Sequence, residues 1–82
     1  MKIKAIYDNG GKTFDRYTVY YDERQGNRDS KTYLCRGMSA HPYHPQGYGQ
    51  MGSGMLGRHN GKRIRLEALP KDCQLAVKSD LE

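Results

Sequence analysis

Residues 13–22, Thr13-Phe14-Asp15-Arg16-Tyr17-Thr18-Val19-Tyr20-Tyr21-Asp22, decide how this chain folds. Tyr17, Val19 and Tyr21 fall on one side of an extended backbone, with Arg16, Thr18 and Tyr20 on the other. This two-residue alternation predicts a strand, and aromatic and β-branched side chains suit a pleated surface. Upstream, residues 2–7 predict an earlier strand with Ile3, Ala5 and Tyr7 on one face and Lys2 and Lys4 on the other. Asp8-Asn9-Gly10-Gly11 between them predicts a hairpin, because Asn and Gly tolerate positive φ. Downstream, the polar run over residues 22–30 predicts a turn. Lys31-Thr32-Tyr33-Leu34-Cys35-Arg36 then predicts a third strand, completing an antiparallel meander over residues 1–36.

The pattern breaks over residues 37–61. Seven of the ten glycines lie in the middle of the chain, among Pro42, Pro45 and small polar residues, and predict a long Gly/His-rich loop. Met38, Tyr43, Tyr48, Met51, Met55 and Leu56 are spaced to pin such a loop onto the sheet. Lys62-Arg63-Ile64-Arg65-Leu66 alternates again and predicts a short strand. Leu69, Cys73, Val77 and Leu81 recur every four residues, which predicts a C-terminal helix with an apolar stripe facing the sheet. Pro70 suits its first position and Asp72 its first turn. The expected architecture is α+β: one domain over residues 1–82, with a small antiparallel sheet of three to four strands, a long Gly-rich loop and one terminal helix.

Length and charge limit what such a domain can do. Eighty-two residues, 35% of them hydrophobic and none of them Trp, leave no room for a Rossmann domain or a TIM barrel. No apolar run approaches the ~20 residues of a membrane helix, and the first residues lack the apolar segment of a signal peptide. The expected setting is the cytoplasm, with no membrane partner and with Cys35 and Cys73 as free thiols rather than a disulfide.

The formal net charge is +5. Lys31, Arg36, Arg58, Lys62, Arg63 and Arg65 lie in a stretch, residues 30–66, that contains no Asp or Glu and all three histidines. The flanking segments are nearly neutral. An acid-free segment rich in Gly, Arg, His and Tyr has the chemistry of an anion site. Glycine lets a phosphate approach the backbone, Arg and Lys supply charge-assisted hydrogen bonds, and Tyr offers a face for a base. The candidate nucleic-acid or nucleotide ligands are Arg36, His44, Tyr48, Arg58, His59, Lys62, Arg63 and Arg65. The spacing of a phosphate-binding loop, G-x-x-x-x-G-K-[ST], is absent, so nucleotide hydrolysis of that type is not expected.

Three other readings compete for the same residues. His41 and His44 could ligate zinc with Cys35 or Cys73, but no paired Cys-x-x-Cys supports a metal site. His44 and His59 could serve a small phosphodiester hydrolase. The same cations could dock on the acidic surface of a protein complex, with exposed tyrosines as anchors. No cofactor and no catalytic residue is assigned. A core this thin is compatible with a homodimer.

Asp8-Asn9-Gly10-Gly11-Lys12-Thr13, His44-Pro45-Gln46-Gly47, Gly61-Lys62-Arg63-Ile64 and Leu69-Pro70-Lys71-Asp72-Cys73-Gln74 resemble stretches of small bacteriophage, prophage and mobile-element accessory proteins. The resemblance implies a bacterial host cell. It also implies a binding protein that acts on host defence or replication machinery, an anti-CRISPR-like counter-defence role included. It assigns no role to any single residue.

Overall fold

The computed structural model describes residues 1–26 and 31–82. The strands are β1 (Ile3–Asp8), β2 (Tyr17–Arg24), β3 (Thr32–Met38), β4 (Gly49–Met55) and β5 (Lys62–Ile64), followed by helix α1 (Lys71–Leu81). They form one antiparallel sheet in the order β4-β3-β2-β1-β5. Short 3₁₀ turns at Arg58–Asn60 and Leu66–Ala68 bracket β5. The α+β class and the terminal helix agree with the sequence. Among the described residues the strand count is five rather than three or four, because β4 arises inside the stretch expected to be a loop; β3 also runs on to Met38. The irregular link between them is only residues 39–48. Part of the polar turn expected over residues 22–30 is strand instead, since β2 continues to Arg24; residues 27–30 of it lie outside the described residues.

Tertiary pairing explains how a segment as poor in strand formers as Gly49-Gln50-Met51-Gly52-Ser53-Gly54-Met55 becomes a strand. All seven of its residues pair with β3, from Met38↔Gly49 to Thr32↔Met55. At Gly54 the missing side chain is required: a Cβ there would stand 2.8 Å from the Tyr20 hydroxyl, because the Tyr20 ring reaches across β3. Glycine punctuates chains in isolation, whereas here it makes room for a tyrosine from two strands away.

The strand expected over residues 62–66 ends at Ile64, because Leu66 opens a 3₁₀ turn, and two further readings change. β2 begins at Tyr17, four residues later than expected, because residues 9–16 form a side-chain-bonded loop rather than a tight hairpin. Asn9 Oδ1 accepts from the Gly11 and Lys12 N–H groups, Asn9 Nδ2 donates to Thr13 Oγ1, and Thr13 Oγ1 donates to Asp15 Oδ1. Asp8 and Arg16 close the loop with an ion pair at 2.8 Å. In β1 a bulge intervenes between the pairs Ile3↔Tyr21 and Ala5↔Tyr20. One extra residue reverses the alternation. Ile3 and Ile6 therefore face the helix, while Ala5 and Tyr7 face the other side, so Ile3, Ala5 and Tyr7 do not share a face.

The larger core lies between the sheet and α1. Ile6, Tyr17, Val19, Tyr21 and Met38 meet Leu69, Cys73, Ala76 and Val77, all buried. The stripe read from the sequence is the contact surface. Pro70 takes the N-cap position rather than the first turn, where its lack of an N–H again removes no helical bond. A smaller cluster of Ala5, Tyr7 and Tyr20 occupies the opposite face with Leu56, Tyr33 and Cys35. Cys73 is in the first core and Cys35 packs against the second, so the sheet separates the two thiols, and both are free. Burial pushes the Cys73 thiol up to about 11. Among the described residues no helix is long and apolar enough to cross a membrane.

The helix is locked by one polar cluster. Arg36 on β3 donates to Asp80 through Nε and Nη2, both at 2.6 Å, and Tyr21 Oη donates to the same carboxylate at 2.5 Å. The Asp80 and Arg36 side chains are only 10% and 20% exposed. An acid in the last turn of a helix opposes the helix dipole; here a bidentate guanidinium offsets that. Burial raises the Asp80 pKa, but the Arg36 and Tyr21 hydrogen bonds outweigh it and hold the group below its ordinary value of 3.8. Tyr21 shifts upward from 10.0, through burial first and the Asp80 carboxylate second.

These directions set the pH dependence. The depressed Asp80 contributes stability that is present above about pH 4 and lost as acid protonates it. The raised Tyr21 and Cys73 contribute stability that is present below pH 9 and lost as base ionises them. Urea unfolding should therefore give a plateau at neutral pH with losses on both sides. Asp80→Asn should lower stability by about 3 kcal/mol, since it leaves Arg36 buried without its charge partner, and should flatten the acid limb. Tyr21→Phe should cost about 1.5 kcal/mol.

Candidate functional site

β4 and β5 lie at opposite edges of the sheet, so residues 56–61 must carry the chain across. Leu56 packs against the smaller apolar cluster, and hydrogen bonds hold the rest. Tyr7 and Tyr20 meet edge to face, with centroids 5.8 Å apart and planes at 88°. Tyr20 Oη donates to Asn60 Oδ1 at 2.8 Å, and the Gly57 N–H donates to Tyr7 Oη at 3.3 Å. Asn60 Nδ2 in turn donates to the carbonyls of Met55 and Gly57. Burial first, and the hydroxyl's electrostatic neighbours second, push Tyr20 above its ordinary pKa. At the end of the crossover Gly61 has φ +109°, and a Cβ there would lie 2.3 Å from the Asp8 carbonyl oxygen. Only glycine lets the chain settle this close to β1.

This clamp positions the basic residues. Arg58 and His59 sit on the crossover turn, and Lys62 and Arg63 follow on β5. Beyond Ile64 the chain leaves β1 and opens a groove of about 670 Å³ whose lining includes Lys4, Arg63, Arg65 and Glu67 over Ile3 and Ile64. Arg63 Nη2 donates to the Lys4 carbonyl at 3.3 Å, and Lys4 Nζ lies 5.2 Å from the Tyr33 ring centre. Among the described residues the ion pairs are Arg16–Asp8 and Arg36–Asp80; Arg58, Lys62, Arg63 and Arg65 are in neither. Lys62 stands in register with Asp8. That carboxylate is held below its ordinary pKa chiefly by its Arg16 hydrogen bond, with Lys62 a smaller influence.

The other predicted ligands lie elsewhere. Arg36 is bound to Asp80, and its Nη1 donates to the Gly49 carbonyl, so the structure commits it to the fold. His44 and Tyr48 belong to the link between β3 and β4. That link is cross-tied: the Ser39 N–H donates to the Tyr48 carbonyl and the Tyr48 N–H to Ser39 Oγ. His44 Nδ1 accepts from the Gln46 N–H at 3.1 Å, which leaves Nε2 to carry the ring proton. Together with the 9–16 loop, this link bounds a second cleft of about 650 Å³ lined by Lys12, Phe14, Arg16, His41 and His44 among others.

Three contributors were missed by sequence reasoning. Lys4 lines the groove through its backbone, whose carbonyl accepts from Arg63, while its ammonium lies over the Tyr33 ring on β3. Phe14 and Lys12 come to the cleft because residues 9–16 are a loop. The one available signal was Phe14, the only phenylalanine, which is 65% exposed.

The arrangement bears on the competing chemistries. No group of three or more His, Cys, Asp or Glu side chains suited to a metal ion occurs among the described residues. Cys73 lies in the core, where its thiol donates to the Ser39 carbonyl, and Cys35 packs against the opposite face. His44 lines the cleft and His59 rides on the crossover, so the pair weighed for acid–base work stands on separate segments. The sheet tyrosines Tyr7, Tyr17, Tyr20 and Tyr21 are buried and serve packing. Comparison with family models, curated proteins and solved structures gives no match.

The clamp is open to test through Gly61. Gly61→Ala forces a side chain into positive φ and into the Asp8 backbone. It should lower stability by about 2 kcal/mol or more, and hydrogen exchange should show the loss of protection concentrated in β5 and residues 56–61.

Proposed function

We propose that this chain binds the phosphodiester backbone of nucleic acid through Arg58, Lys62, Arg63 and Arg65, and holds it without reacting on it. The observation that carries this reading is the placement of the four cations of residues 58–65 on one clamped crossover, the adjoining edge strand and the residue just past it, outside both ion pairs. The acids beside them are Asp8, which is occupied by Arg16, and Glu67 at the end of the groove. Arginine suits phosphate because its planar fork matches two oxygens at once. The burial of Tyr7 and Tyr20 leaves the sheet no broad stacking platform, so contacts go to the backbone and discrimination between base sequences is weak.

The reading is tested by fluorescence anisotropy of a labelled duplex between 50 and 200 mM salt. Each phosphate contact contributes a log–log slope of about −0.9. Arg63→Ala/Arg65→Ala should reduce the slope by about two contacts and weaken binding similarly for unrelated sequences. His44→Ala, in the separate cleft, should leave the slope unchanged. Absence of binding to duplex or single strands at low salt, or an unaltered slope in the double variant, would overturn the reading.

A further inference from the structure

The two edges of the sheet are protected very differently. β5 is three residues long and carries Lys62 and Arg63, two devices that discourage a further strand. β4 is seven residues long and has neither a charged residue nor a proline. It is fully paired with β3 on one side, and among the described residues no strand lies on its other side. Its residues are mostly exposed, including Met51 at 44% and Met55 at 52%. An edge this long and uncharged is a template for another strand.

We propose that the strand it takes is β4 of a second copy of this chain, paired antiparallel about a two-fold axis through Gly52. This is the alignment that pairs all seven residues, and three features of the sequence favour it. It sets Gly49 opposite Met55, Gln50 opposite Gly54 and Met51 opposite Ser53 of the partner copy. On the helix-bearing face, marked by the pairing of Met51 with Arg36, Met51 is then diagonal to the second copy's Met51 and Met55. Diagonal neighbours ~7–8 Å apart are within reach of long side chains, so four exposed methionines become one apolar cluster. On the other face Gly52 meets its own copy and Gln50 meets Gly54, so no bulk and no charge collides. Two chains of net charge +5 repel, but the pairing puts neutral strands together and leaves each β5 at an outer edge. The dimer is a ten-stranded sheet with a basic edge at either end, about 43 Å apart if flat.

A seven-residue strand is about 24 Å long, and pairing along it covers less than the ~800 Å² per partner of a standard interface. The expected dimer is therefore of micromolar affinity or weaker, and it tightens as salt screens the net charge, opposite in sign to nucleic-acid binding. Sedimentation equilibrium across concentration and salt should show monomer and dimer. Met51→Lys/Ser53→Lys places lysines opposite lysines across the axis and should weaken the dimer at least tenfold. Met51→Lys/Ser53→Glu places opposite charges there and should recover it.

Disulfide trapping gives a readout that does not depend on those variants folding. A side chain at position 52 meets nothing within 4 Å in one copy. Paired residues across an antiparallel axis have Cα atoms ~4.5–5.5 Å apart, within disulfide range. Gly52→Cys in a Cys35→Ser background, which removes the thiol in register on β3, should form a covalent dimer under mild oxidation. Lys12→Cys in the same background should not. A wild-type chain that stays monomeric at high concentration and salt would overturn the proposal. So would trapping no faster at position 52 than at position 12, or a lysine double variant that dimerises like the wild type.

Discussion

The carboxylate of Asp80, held by the guanidinium of Arg36 and the hydroxyl of Tyr21, ties the last turn of the helix to β3 and to the central strand β2. Apolar burial alone would let α1 slide or rotate on the sheet, because the hydrophobic effect has no direction. A bidentate ion pair with a third hydrogen bond fixes one position. It brings Cys73, Ala76 and Val77 over Val19 and Met38, and it holds β3 in place for β4 to pair with. The same bond changes the electrostatics. It withdraws Arg36 from the acid-free middle of the chain and makes it part of the scaffold.

The two faces of the sheet are closed by different means. One is covered by the helix and is conventionally apolar. The other is closed by six residues of crossover, which contribute Leu56 and a set of hydrogen bonds from Tyr7, Tyr20 and Asn60. A short chain with no tryptophan uses tyrosine for both jobs, since its ring fills space and its hydroxyl finds a partner. Closing a face with a crossover also fixes the residues proposed to bind. The turn that covers the tyrosines is the turn that presents Arg58 and His59 and starts β5.

Several features were legible in the sequence because they depend on local periodicity. The faces of β2, the apolar stripe of α1 and the alternation in β5 all repeat at the spacing of their element. The β1 faces were misread because a bulge is one residue of tertiary pairing with no mark of its own. β4 was misread because its glycines signal a loop until β3 and the Tyr20 ring are present. The grouping of the candidate ligands was hidden for the same reason. Arg36 and Arg65 look alike in an acid-free stretch, and only the position of Asp80, forty-four residues after Arg36, separates them.

The sequence by itself determined the α+β class, the helix and its buried stripe, and the concentration of net positive charge in the acid-free residues 30–66. Each of these follows from composition or from near-neighbour spacing. Among the described residues, the tertiary structure decided that five strands form, and that Arg36 is neutralised while Arg58, Lys62, Arg63 and Arg65 stand outside the ion pairs. It also decided that β4 ends the sheet with an unprotected edge. These outcomes depend on which distant residues meet, and strand pairing, ring packing and ion pairing between remote segments are what settle that.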